Sequence, residues 1–229
     1  MEAEAVLPSR GLIAFCMLVG VLLFGWLAWR GFSSRRPLGE VPAPATVPII
    51  DKQPVVFASR TFDSAAPPAD MPPLSSGESA ECDSQFLSSA SVRGESRPTD
   101  ATHATVTITQ IKVTLQLNIN IWVPTGVTQH VIEHEDGHRQ VSEFYYQTAD
   151  KLAERISAPY MGKQVEIAGT DLGAESSKIL QQMATEITAE YNKELNPGPA
   201  QLLYDSITDH GRNEVVVKDA VAHALKNAL

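Results

Sequence analysis

From Ile111 to Val123 the chain alternates strictly: Ile111, Val113, Leu115, Leu117, Ile119, Ile121 and Val123 take one side, and Lys112, Thr114, Gln116, Asn118 and Asn120 the other. Successive side chains of a strand point to opposite faces, so this pattern predicts a strand with one face buried. Val106 and Ile108 are out of phase with that series. A bulge or turn near Thr109-Gln110 is therefore expected, splitting the stretch from Thr105 into two strands. Pro124 and Gly126 end it.

Beyond Gly126 the period lengthens to that of a helix. One helix is predicted from near Thr128 to about Ile156, stopped by Pro159 and Gly162. A second, from about Leu172 to Leu195, carries Leu172, Ile179, Leu180, Met183, Ile187, Tyr191 and Leu195 at helical spacing and ends before Asn196-Pro197. Val215 to Leu229 reads as a short final helix. A strand followed by helices implies an α+β domain over residues 104–229.

Upstream the pattern is different. Ten of the fifteen prolines fall between Pro37 and Pro98, and Leu74 to Ser91 is rich in serine. Residues 30–103 thus read as a Pro/Ser-rich linker, with one possible edge strand at 55–62. Gly11 to Trp29 is nineteen residues without a charge. As a helix this run is roughly 28 Å long, enough to cross a bilayer once. Its length, Trp26 and Trp29 favour a membrane anchor behind a short tail (residues 1–10) over a cleaved signal peptide. Arg30, Arg35 and Arg36 follow the span, whereas Arg10 precedes it beside Glu2 and Glu4. Local charge therefore favours a cytoplasmic C-terminal side.

The formal charge of −9 is spread along the chain, with no basic run outside the membrane flank. Phosphate binding needs clustered Lys and Arg, so nucleic acid is excluded as a partner. Cys16 and Cys82 are the only cysteines, one in the apolar run and one in the linker. They are poorly placed to pair, and a cysteine-based metal site is excluded.

The chemistry lies in His134-Glu135-Asp136-Gly137-His138. Residues four apart share a helix face, so His134 and His138 can offer two imidazole nitrogens to one metal at about 2.0–2.1 Å. Glu135 stands beside the first ligand, where a carboxylate can move a proton for an activated water. Zinc suits imidazole ligands and a hydrolytic task without redox change. A surface helix can spell this pattern by chance, but a strand followed by a long helix is the setting the motif requires. His130, one turn earlier, lies too far along the axis to share the metal with both others, and reads as a surface residue or a neighbour of the ligands. The third ligand is open between helix glutamates (Glu175, Glu186 or Glu190) and His210, which precedes Gly211 in a polar loop.

His134-Glu135-x-Gly137-His138-Arg139, followed by Tyr204-Asp205-x-x-Thr208-x-His210-Gly211, resembles the bacterial family of predicted secreted zinc-dependent proteases, catalogued as a domain of unknown function in the zincin clan. The similarity covers roughly Thr105 to Arg212. It implies a zincin-like domain: a small, mainly antiparallel sheet, the active-site helix and a second long helix. It further implies Zn2+ held by His134, His138 and His210, with Glu135 as general base. Tyr204 or Asp205 would touch the ligands or stabilise the substrate. The implied function is a membrane-anchored metallopeptidase of the inner membrane, with its catalytic domain on the periplasmic side. Its substrate would be a peptide or protein, including cell-wall peptide, lying along the edge of the Ile111–Val123 strand. The competing class is a catalytically silent, membrane-tethered, metal-containing binding domain.

Overall fold

A computed structural model of the chain describes residues 47–74 and 78–228. The expected tail, the anchor Gly11–Trp29 with its flanking charges, and Cys16 lie outside the described residues. Among those described, no helix is long and apolar enough to cross a membrane.

The fold is mixed α/β, with one five-stranded sheet and several helices. Its centre is β4 (His103–Pro124), the strand announced by the alternation. Ile111, Val113, Leu115, Leu117 and Ile119 are all buried, while Lys112 on the opposite face is exposed. The phase change is a bulge: Arg93 pairs with Gln110 and Gly94 with Ile108, leaving Thr109 as the extra residue. The strand bends there without splitting into two.

The segment expected to be linker supplies most of the remaining sheet. β1 (Ile49–Lys52) and β2 (Val56–Phe62) lie parallel to β4. β3 (Glu81–Pro98) runs antiparallel along nearly its whole length. With β5 (Gln164–Ala168) also antiparallel, two of the four pairings are parallel, against the mainly antiparallel sheet expected. Because β3 occupies one edge of β4 from Ala104 to Trp122, the other edge must be tiled by β5, β1 and β2 in turn. No edge of Ile111–Val123 is left for an extended substrate, which corrects that expectation.

β3 escaped notice because its inward positions are small or polar. Ser84, Ser88, Ala90 and Gly94 share the inward phase with Cys82, Phe86 and Val92, so the hydrophobic signal is thin. At Gly94 an added Cβ would sit 2.9 Å from the Thr107 carbonyl oxygen and 3.2 Å from Leu180, so a side chain would force sheet and helix apart.

Helices cover the apolar face of the sheet. The expected first helix is two, α1 (Gln129–Gln147) and α2 (Ala149–Ser157), separated at Thr148. α3 (Leu172–Glu194) starts at Asp171, whose carboxylate accepts a hydrogen bond from the Ala174 N–H and so caps the first turn. Met183, Ile187 and Tyr191 of α3 join Tyr146, Ala149, Ala153 and Ile156 against β4 in the main core. A second cluster packs Val141 of α1 on α4 (Gly198–Thr208) and α5 (Val217–Asn227) through Ala200, Tyr204, Ala220, Val221 and Ala224. α4 replaces part of the polar loop expected around Tyr204 and Asp205, and it sets their side chains on the histidine helix.

Candidate metal centre

His134 and His138 occupy one face of α1, and their ring centroids are 4.8 Å apart. What the helix faces is α4. Gly137 makes the approach possible: a Cβ there would fall 2.1 Å from the Tyr204 hydroxyl oxygen. The Tyr204 ring stacks on His134 with centroids 5.2 Å apart, and its hydroxyl donates to the His134 backbone carbonyl at 3.1 Å. Tyr204 is 0% exposed, with its only hydroxyl proton already committed. It is a wedge that orients the histidine helix, and it is not among the residues that line the cleft.

Asp205 follows Tyr204 directly on α4. Its Oδ1 lies 2.9 Å from His138 Nε2 and 3.5 Å from His134 Nε2. This atom is buried and, despite the short approach to His138, makes no aligned hydrogen bond. Gln201, one turn earlier on α4, explains the orientation of His138. The Gln201 amide nitrogen donates to the His138 carbonyl at 3.1 Å and to Ser142 Oγ at 2.9 Å, which turns its oxygen toward His138 Nδ1 at 2.7 Å. Nδ1 therefore carries the proton donated to Gln201, and Nε2 is turned to Asp205. Ser142 in turn donates to Ser84 Oγ at 2.9 Å, tying the helix to β3.

This arrangement fits a metal ion. With ligand bonds of about 2.0–2.1 Å, donors around a tetrahedral zinc lie about 3.3 Å apart. The 2.9 and 3.5 Å separations bracket that edge. His134, His138 and Asp205 each offer one ligand atom, all within 4.8 Å of one another. The Gln201–His138 contact is also the kind of support that fixes a ligating imidazole.

Electrostatics single out Glu135, which is 4% exposed. Burial pushes its carboxyl up to about 7; the nearby Glu81, Glu78 and Asp205 carboxylates add to the shift, and His138 opposes it. His134 is held down at about 4, by burial first and then by the charge of His138. For His138 burial works against the imidazolium, but Asp205 and Gln201 outweigh it and the net direction is upward.

Glu135, His138, Asp205 and Gln201 border a cleft of about 250 Å³ whose far wall includes Glu78 and Cys82. Cys82 is a free thiol there, pushed up to about 12 by burial.

The remaining expected residues are dispersed. His210 does not join the His134–His138–Asp205 group; its Nδ1 contacts Glu78 Oε1 at 3.0 Å and lies 4.0 Å from Asp205 Oδ1. The chain reaches it through left-handed residues Asp209, His210 and Gly211, with φ of 48°, 53° and 71°. Gly211 then passes so close to His134 that a Cβ would lie 2.8 Å from the imidazole Cγ. Glu175 sits on α3 against Gly169, and Glu186 accepts from Gln182. Neither they nor His130 enters either cluster of metal-ligand atoms among the described residues. Sequence reasoning missed Glu78, Gln201 and Ser142. For Gln201 the signal was its position four residues before Asp205, on one face of a helix.

No family model, curated protein or solved structure matches the chain.

Proposed function

We propose that the chain is a zinc-dependent hydrolase of the zincin type, acting on peptide or related amide bonds. One observation carries the reading: two imidazole Nε2 atoms and one carboxylate oxygen converge beside a buried glutamate that borders an open cleft. His134, His138 and Asp205 would hold the ion, with Asp205 in the place expected of His210. When bound, zinc lowers the pKa of a water and polarises a scissile carbonyl.

The protein's own groups do the rest. Glu135, buried beside the two histidines and bordering the cleft, would accept the water's proton and return it to the departing amine. Gln201 and Ser142 hold His138, and Tyr204 and Gly211 clamp His134 from two sides. The peptide as substrate, cell-wall peptide included, and a periplasmic catalytic domain follow from the resemblance, and the anchor from the uncharged run Gly11–Trp29; all are proposed with this reading.

The test is the full chain and its Glu135→Gln variant, assayed for bound zinc and for hydrolysis of a peptide library and of cross-linked cell-wall peptides. The reading expects zinc in both proteins and hydrolysis in the first alone. Full hydrolysis by Glu135→Gln would remove the mechanism. A zinc-loaded wild type inactive on every substrate would favour the silent binding domain.

A further inference from the structure

We propose that the cleft takes a second divalent cation beside the first, held by Glu78, His210 and the shared carboxylate of Asp205, so that Asp205 bridges a metal pair. The inference rests on the reading of His134, His138 and Asp205 as a metal site.

Glu78, Asp205 and His210 each offer a ligand atom, and the three lie within 4.8 Å of one another. Glu78 Oε1 is 3.0 Å and Asp205 Oδ1 is 4.0 Å from His210 Nδ1. Donors around one ion with bonds of about 2.0–2.2 Å stand about 3.3 Å apart, so small side-chain shifts close the set on a cation. An ion pair alone accounts for Glu78 and His210. The Asp205 carboxylate proposed for the first ion also lies 4.0 Å from His210 Nδ1, so the two donor sets meet at one residue. A carboxylate has two oxygens, so one residue can ligate both cations.

Charge points the same way. Glu78, Glu135 and Asp205 line one small cleft, and neither lysine nor arginine is among its described lining residues. One dication leaves negative charge over in a place where uncompensated charge is costly. The left-handed run through Asp209, His210 and Gly211 packs the chain back against His134, which brings the second donor set to the first. One imidazole and two carboxylates make the second site the harder of the two, open to Mn2+ as well as Zn2+. Paired ions of this kind clamp the attacking and leaving atoms of a hydrolysis between them.

Zinc titration of the metal-free full chain, with Co2+ as a paramagnetic probe, tests the proposal. Two equivalents are expected for wild type, and one each for Glu78→Gln and His210→Ala. The resonance of the first Co2+ should diminish as the second binds, because carboxylate-bridged ions couple. A single equivalent that survives both substitutions overturns the second site and leaves the first intact. A single equivalent lost in His210→Ala also overturns it and returns His210 to the first site. Two equivalents persisting in both variants would place the second ion elsewhere and refute the bridge. No bound zinc in wild type would remove the proposal together with the reading beneath it. Should His210→Ala fail to fold, Glu78→Gln and the wild-type stoichiometry decide.

Discussion

Glu135→Gln should stabilise the metal-free protein even as it abolishes hydrolysis. Burial raises the Glu135 carboxyl from its ordinary 4.5 to about 7, so the folded state holds this proton more tightly than the unfolded chain does. For a carboxyl raised on folding, the contribution to stability is full below the unfolded pKa and is lost as pH rises through the folded one. At about 1.36 kcal/mol per pH unit, ionised Glu135 costs the fold on the order of 1 kcal/mol near pH 5 and 3 kcal/mol near pH 8. Glutamine never ionises. Its advantage should therefore grow by about 2 kcal/mol between those conditions. His134, held down at about 4, works in the opposite sense: its contribution is present above its ordinary 6.5 and is lost as pH falls through about 4. Both proteins share it, so it cancels in the difference. Urea denaturation of the two chelator-treated chains from about pH 5 to about pH 8 reads the difference directly. Bound zinc, a cation beside the carboxylate, should shrink it. A difference that is flat with pH, or that favours glutamate at the alkaline end, would refute the burial argument.

Gly137→Ala should destabilise the fold by about 1–3 kcal/mol through overpacking against Tyr204, although alanine in place of a mid-helix glycine usually gains about 1 kcal/mol; thermal melts settle the sign. Tyr204→Phe should cost about 1 kcal/mol for the lost hydrogen bond to His134 and leave metal stoichiometry unchanged, whereas loss of zinc would make the hydroxyl essential to the centre. With its thiol pushed up to about 12, Cys82 should react with iodoacetamide about 10³-fold more slowly than an ordinary thiol near pH 8, and equal rates in native and unfolded protein would contradict its burial. Leu115→Ala, at the centre of the sheet's buried face, should cost about 2–5 kcal/mol in denaturant titration.

The legible parts of the sequence were those where one physical period dominates. β4 showed because its inward residues are large and branched, and even its bulge showed, as a change of phase at Thr109. The helix of His134 and His138 and the helix of Met183, Ile187 and Tyr191 showed for the same reason. β3 did not, because it buries serine, alanine and glycine against α3, and small residues leave no hydrophobic stripe. β1 is too short to register amid prolines, whereas β2 showed as the possible edge strand at 55–62; both lie along the second edge of β4. At the site, spacing of four found the two histidines but gave no purchase on the carboxylate that meets them some seventy residues on. Asp205 emerged only because α4 packs through Ala200 and Tyr204, which turns Gln201 and Asp205 toward α1. His210 looked the better ligand in sequence, since imidazole followed by glycine suits a close approach; in the fold Gly211 makes that approach to His134 instead.

The central claim is that Asp205 completes the His134–His138 centre. Calorimetric titration of Zn2+ into metal-free wild type, Asp205→Asn and His210→Ala chains tests it most directly. Tight binding should vanish in Asp205→Asn, while His210→Ala should keep one tight equivalent. Retention of that equivalent by Asp205→Asn, with its loss in His210→Ala, would contradict the account.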